Sequence, residues 1–324
     1  MKTFLHFSVA LLLGLSSFSP PAVAMENGKD APLGGRAVPI IEAGFGLFCT
    51  GFLYSERIVL TAGHCLVNEQ SKQPYAQILV GAPGETYTST SKKIRAVKSF
   101  SSPKWGWADE NNFNPTGEFG VYVLAQPFSV TGKVSIATKD QIQSFLNDGI
   151  KISNIGYGRQ NASDEYTGLP SRSPKFGEFP LVPMETVNQE LEGVWRFLGK
   201  RKNYNMQIHV LQVPGGPSTC SGDSGGPFFV MDGADYIYLG PLSNGIGGIP
   251  NCSGKPWASP NMYMGSVAAY DYLDLVAQAE KYVGENFTRT PLLKTKIQCR
   301  NSKKTISISG VSPACPKGFR KLKS

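Results

Sequence analysis

Short apolar runs, broken at intervals by Gly, Pro and Ser, recur along most of the chain. Phe48-Cys49-Thr50-Gly51-Phe52-Leu53-Tyr54 alternates apolar and small residues. Ser55-Glu56 makes a turn, and Arg57-Ile58-Val59-Leu60-Thr61-Ala62 continues as a second strand. The same pattern predicts strands at Ile78-Leu79-Val80, Ile94-Arg95-Ala96-Val97, Gln207-Ile208-His209-Val210-Leu211, Tyr236-Ile237-Tyr238-Leu239 and Pro241-Leu242-Ser243-Asn244-Gly245. Strands this short, with turns this frequent, predict an all-β barrel or sandwich. The period changes to helical at Tyr270–Val283, where Leu273, Val276, Ala277 and Val283 share a face and Gly284 supplies the stop. The Pro/Ser/Gly-rich stretch 168–183 reads as a surface loop, and Thr305–Gly310 as a small hairpin.

The amino terminus has a different pattern. Lys2, an apolar run from Phe4 to Leu15, then Ser and Pro, then Ala22-Val23-Ala24 follow the order of a secretory signal, so residues 1–24 are expected to be removed on export. The apolar run is too short to span a bilayer, and no later stretch has the length and apolarity of a membrane anchor. The mature protein is expected to be secreted, extracellular or attached at a cell surface, and monomeric. Residues 25–36 are polar and glycine-rich, expected as a flexible terminus or a short pro-segment cut at Lys29 or Arg36.

Export gives the six cysteines a meaning, because an even number outside the signal favours disulfides over metal ligation. Six cysteines admit 15 pairings. A bridge from Cys49 to Cys65 would close a short loop, worth about 3 kcal/mol in the chain-entropy model. No CxxC pair is present, so no metal site is expected.

Charge is unevenly placed. The chain carries a net charge of +8, yet residues 286–324 alone hold ten Lys and Arg and no acid. The excess is therefore confined to a basic C-terminal extension, and residues 25–285 are slightly acidic. Contact with an anionic surface is the expected use of that extension. No nucleic-acid partner is expected, since no aromatic platform accompanies the charges.

The chemistry centres on Cys220-Ser221-Gly222-Asp223-Ser224-Gly225-Gly226-Pro227. Glycines flanking a serine let the backbone turn tightly and aim successive N–H groups at one point, as an oxyanion pocket requires. A serine alone is a poor nucleophile and needs a base. Thr61-Ala62-Gly63-His64-Cys65, at a strand end beside a cysteine, offers one, while His209 in its apolar strand reads as structural. Together the two motifs resemble the trypsin/chymotrypsin family of serine peptidases, and the resemblance extends over roughly residues 33–285. Glu118-Phe119-Gly120-Val121-Tyr122-Val123-Leu124-Ala125-Gln126-Pro127 is similar to the family segment in which an acid begins an apolar strand, with glutamate here in place of aspartate. Ile152–Arg159 is similar to the family's strand ending in a Gly-aromatic-Gly turn.

The resemblance implies two six-stranded antiparallel β-barrels and a C-terminal helix, with the peptidase domain at 37–285 and the basic extension at 286–324. It implies a triad of Ser224, His64 and Glu118, with Asp109 the alternative acid by its distance from His64. The Gly222 and Ser224 N–H groups would form the oxyanion hole, and Asp223 would receive the ammonium of a freed amino terminus. Cys252 falls at the family position of the partner of Cys220, which leaves Cys299 and Cys315 to each other. Ser218, Ser243, Gly245 and Asn261 would contribute to substrate binding, and no acid among them would hold a substrate Arg or Lys. The implied activity is hydrolysis of protein or peptide substrates without metal or organic cofactor. The rival is a catalytically silent homologue that binds partners.

Overall fold

The structure, a computed structural model, describes residues 25, 27–31, 35–68, 71–87, 91–107, 115–159, 173–189, 192, 206–213, 215–247, 262–287, 295–301, 304–310 and 319–322. The expected signal, Asp109, Cys252, Asn261 and Cys315 lie outside them. Two compact units divide the chain, Met1–Leu275 and Val276–Ser324.

In the first unit a barrel is built from β2 (Ala37–Glu42), β3 (Gly46–Leu53), β4 (Ile58–Thr61), β5 (Ile78–Gly81), β6 (Lys93–Ser101) and β7 (Gly120–Leu124). It closes in the order β2-β3-β4-β7-β6-β5, every pairing antiparallel. Its interior holds Val38, Ile40, Leu53, Val59, Val80, Ile94 and Leu124. Closure leaves no strand edge unpaired. β1 (Lys29–Asp30) precedes the barrel.

The second half is described as two sheets. β8 (Val134–Ile136), β9 (Lys151–Gly156), β10 (Lys175–Pro180), β12 (Pro227–Asp232) and β13 (Asp235–Pro241) join β1 in one sheet, ordered β1-β10-β9-β12-β13-β8. β11 (Ile208–Gln212), β14 (Asn244–Gly247) and β15 (Met262–Ser266) form a separate three-stranded sheet ordered β11-β15-β14. A single bridge, Leu181 to Val210, links β11 to the end of β10. Among the described residues, one closed barrel, these two sheets and the C-terminal helix make up the strand-rich architecture that the resemblance implies. β8 also pairs parallel to β13 rather than antiparallel.

An aromatic cluster ties the halves together. Phe52 of β3 stacks on Tyr238 at 5.3 Å and on Phe229 at 6.2 Å, and meets Tyr236 edge-on at 5.4 Å. Such pairs are worth about 0.5–1.5 kcal/mol each beyond the area they bury.

Several elements differ from the sequence expectation. Within the stretch expected as a loop, Lys175-Phe176-Gly177-Glu178-Phe179-Pro180 is a strand whose alternate residues are buried. Its proline stands at the strand end, where a missing N–H breaks no ladder. A helix at Lys139–Asn147, unexpected from the pattern, carries a complete capping box between Thr138 and Gln141. The C-terminal helix runs Leu273–Asn286, through Gly284. Its buried residues are Leu275, Val276 and Ala279, while Leu273 is 51% exposed, so the apolar face is rotated from the one expected. No helix among the described residues is long and apolar enough to cross a membrane.

The segment 25–36 contributes to the fold. Met25 is buried in the core with Ile152, Phe179 and Phe228. Lys29 and Asp30 pair with Phe176 and Lys175 of β10, and Asp30 also forms an ion pair with the Lys175 side chain. Arg36 is buried, its guanidinium donating to the carbonyls of Leu53, Tyr54, Thr131 and Gly132.

In the second unit, β16 (Thr295–Arg300) lies between β17 (Thr305–Gly310) and β18 (Arg320–Lys321). The stretch expected to be a hairpin is thus one continuous strand whose partner is β16. Gln298, Arg300, Thr305, Ser307 and Arg320 are exposed, and Cys299 is buried and disulfide-bonded.

Candidate active site

The register of β4 against β7 brings His64 and Glu118 together. Thr61 pairs with Gly120, so His64 just after β4 and Glu118 just before β7 emerge at the same barrel end. His64 sits in a 3₁₀ turn, Gly63–Cys65, held by Cys65 N–H to Ala62 O at 3.1 Å and Leu66 N–H to Gly63 O at 2.9 Å. Cys65 is bonded to Cys49 of β3, and its carbonyl accepts the Tyr122 hydroxyl at 2.8 Å. The turn that carries His64 is fixed from both sides.

Glu118 is completely buried, and its carboxylate accepts four hydrogen bonds. Oε1 takes the His64 backbone N–H at 2.9 Å and the Trp105 indole at 3.1 Å. Oε2 takes the His64 ring at Nδ1, 2.7 Å away, and the Ser243 hydroxyl at 2.5 Å. A carboxylate accepts only, so Nδ1 carries the proton and Nε2 is left with its lone pair outward.

Burial alone would push the Glu118 carboxyl up. The His64 charge and the bonds from His64, Ser243 and Trp105 outweigh it and hold Glu118 below the usual carboxylate range. For His64, burial works to lower the pKa, but the Glu118 charge and hydrogen bond prevail and raise it above the ordinary imidazole value.

Ser224 hangs from the barrel. Its carbonyl accepts the Thr50 N–H at 2.8 Å, and the Cys65 sulfur lies 3.6 Å from the same oxygen. Thr50, buried in β3, also donates its hydroxyl to Gly222 O at 2.9 Å and accepts the Tyr157 N–H at 3.0 Å. The Thr61 hydroxyl in turn donates to Thr50 O at 2.9 Å. One threonine therefore couples the strand before the base to the serine loop.

The loop's own N–H groups divide into two sets. Those of Asp223, Gly225 and Gly226 are committed to the carbonyls of Cys220, Leu242 and Asp223. Those of Gly222 and Ser224 meet no acceptor among the described residues. The Ser221 carbonyl accepts the Arg159 N–H at 2.8 Å. A trans peptide points its two polar groups opposite ways, so that contact turns the Gly222 N–H away from Arg159. Gly222 adopts φ +97°, a conformation that favours glycine.

Asp223 faces inward, fully buried, with Gly158 N–H on Oδ1 and Cys220 N–H on Oδ2, both at 2.7 Å. A side chain at Gly156 would lie 1.8 Å from Oδ1, and one at Gly158 would lie 2.7 Å from the carboxyl carbon. This is the physical reason for the Gly-aromatic-Gly turn.

Of the residues expected to bind substrate, Ser243 is engaged with Glu118, and Gly245 lies in β14 opposite Met264. Ser218 is buried and donates to Gln212 Oε1 at 3.0 Å, while Gln212 Nε2 donates to Thr219 at 2.7 Å. Gln212 pairs with Met262 in the same three-stranded sheet that carries Gly245. Cys220 is disulfide-bonded. His209 is buried, and burial lowers its pKa to about 4.

Among the described residues, Cys49, His64 and Cys65 form the one group spaced to ligate a metal, but both sulfurs are spent in the disulfide. Sequence reading missed Trp105, Thr50 and Gln212. None belongs to a local motif; Thr50 acts on residues distant in the chain, while Trp105 and Gln212 act on residues 13 and 6–7 positions away across a loop.

The trypsin family profile matches residues 27–263. Among curated relatives, Trypsin 5G1 of Aedes aegypti is 25% identical over 224 residues, covering 66% of this chain and 75% of its own. With most of the chain matched, and the serine loop, His64 and Glu118 assembled at one barrel end, the chain belongs to the trypsin family of serine peptidases.

Proposed function

We propose that the protein is an exported serine endopeptidase working through an acyl-enzyme. Ser224 Oγ attacks the peptide carbonyl while its proton passes to His64 Nε2. Glu118 holds the imidazole in the required tautomer and stabilises the imidazolium. The C–N bond then breaks as His64 protonates the leaving amine. Water, deprotonated by His64, attacks the acyl ester and returns Ser224. The oxyanion in both steps lies against the Gly222 and Ser224 N–H groups. Such a donor typically contributes about 10²–10³ in turnover.

The observation that carries this reading is the loop's division of labour. Neighbouring N–H groups are tied up internally, while the two that the chemistry needs have no acceptor among the described residues. The replacement of aspartate by glutamate favoured the silent homologue, but Glu118 reaches His64 at 2.7 Å, so the longer acid does not disable the pair.

The test is labelling of the processed protein with a fluorophosphonate beside a Ser224→Ala control. Labelling lost in the control supports the peptidase. Absence of Ser224-dependent labelling in folded, processed protein supports the silent homologue.

Specificity follows from the same reading. Ser218, Gly245 and Asn261 are assigned to the primary pocket by their positions in the sequence, and Ser218 offers a neutral hydroxyl clamped by Gln212 where a carboxylate would hold Arg or Lys. A peptide-library profile is expected to favour cleavage after small or medium uncharged side chains. Dominant cleavage after Arg or Lys would refute that assignment while leaving the peptidase reading intact.

A further inference from the structure

Glu118 has one donor that comes from neither the base nor the serine half. The Trp105 indole approaches from the loop between β6 and β7, 3.1 Å from Oε1. Its backbone is fastened beside the acid. Gly106 and Thr116 form an antiparallel bridge with bonds of 3.2 and 2.8 Å, and the Thr116 hydroxyl donates to Lys104 O at 2.9 Å.

The residues before the acid and before the base are both glycine, and both make room for this side chain or its backbone. A Cβ at Gly63 would fall 2.2 Å from Trp105 Cδ1 and 2.5 Å from Nε1. A Cβ at Gly117, which has φ +60°, would fall 2.8 Å from the Trp105 nitrogen.

We infer that Trp105 is a positioning residue for the triad acid, its indole N–H fixing the carboxylate of a glutamate that stands where relatives carry aspartate. The inference rests on Glu118 being that acid. Glutamate has one more torsion to freeze than aspartate, and each added rotamer must be held by contacts. Trp105 closes the remaining side of Oε1, so rotation of the carboxylate would break a bond to each of its neighbours.

Trp107 supplies an internal contrast. It packs edge-on against Trp105 with centroids 5.2 Å apart and lies 6.2 Å from the His64 ring, yet its own Nε1 is buried without a hydrogen-bond partner among the described residues. Among the described residues, the other charged or titratable groups nearby include Lys72 over the Trp107 ring and Tyr272, whose hydroxyl feels Glu118. Phenylalanine at either tryptophan leaves the charge of both unchanged.

The experiment compares Trp105→Phe with Trp107→Phe in the full chain. Trp105→Phe is expected to lower kcat roughly tenfold or more with KM little changed, the size of a lost hydrogen bond to a charged group. It is also expected to raise the His64 pKa, read by NMR titration of the imidazole. Without the indole dipole the carboxylate charge is less compensated and holds the imidazolium more tightly. Trp107→Phe is expected to do neither. Gly63→Ala, which displaces the indole without deleting it, should reproduce the His64 shift should Trp105→Phe fold poorly. Equal losses in both tryptophan variants with an unmoved His64 titration would reduce Trp105 to packing. The titration needs no turnover, so a failed peptidase reading, seen as an unlabelled wild type, stays separate from a failed inference.

Discussion

Glu118→Gln is expected to lower kcat/KM on a peptide ester by about 10³–10⁴, the scale seen when the triad acid of such peptidases becomes its amide. All four groups around Glu118 donate in the present arrangement. An amide has one accepting oxygen. With that oxygen kept on the His64 and Trp105 N–H groups, its NH₂ faces Ser243 and the imidazole. Ser243 can rotate its hydroxyl, but His64 must give up the Nδ1 proton and carry it on Nε2. Nε2 then cannot accept from Ser224, and the nucleophile is no longer activated. The opposite amide orientation leaves two buried N–H groups facing an NH₂, at about 1–3 kcal/mol each. Asp109→Asn, measured beside it, is expected to stay near wild type. A large loss in Asp109→Asn and none in Glu118→Gln would mean that the loop acid is the partner.

That Glu118 lies beside His64 follows from register. An apolar strand has a period of two, so its phase fixes where the residue before it emerges. Here Gly120 opposite Thr61 puts Glu118 beside His64. The serine loop was equally legible, because its glycines are contiguous with the residue they serve. The parts that stayed hidden depend on distant contacts. Thr50 is one more polar residue in an alternating strand until β3 lies under the Ser224 loop. Trp105 reads as a loop aromatic until a bridge between Gly106 and Thr116 folds it onto Glu118. The strand Lys175–Pro180 was masked by its glycine and proline, although pairing with β9 over six residues fixes its place. The amino-terminal segment looked detachable by composition, yet a methionine buried in a core and a short strand give it a place in the fold.

Asp223 is expected to make stability fall as pH rises from about 4 to above 7. Burial pushes its carboxyl up to about 7, partly opposed by the Cys220 and Gly158 N–H groups. In the unfolded chain the same group titrates near 3.9. A group whose folded pKa is raised contributes stability that is full below the unfolded pKa and is lost as pH climbs through the folded one. The displacement corresponds to a few kcal/mol, roughly 1.4 kcal/mol per unit. Other groups also contribute to the pH dependence, so the difference from Asp223→Asn is the informative curve. The asparagine keeps one acceptor and turns its NH₂ towards the other backbone N–H, a cost of about 1–3 kcal/mol that does not vary with pH. Urea unfolding of both proteins at pH 4 to 9 should therefore show the variant less stable in acid, with its deficit shrinking or reversing above pH 7. The resemblance implied a freed amino terminus as the partner of Asp223, and each carboxylate oxygen, accepting one backbone N–H, keeps a lone pair for such a cation. A bound ammonium would depress the carboxyl instead, and the deficit would then widen as pH rises from 4 to 7. That opposite slope in the processed protein would show that a cation reaches Asp223. A closing gap means that two backbone N–H groups hold this loop without one.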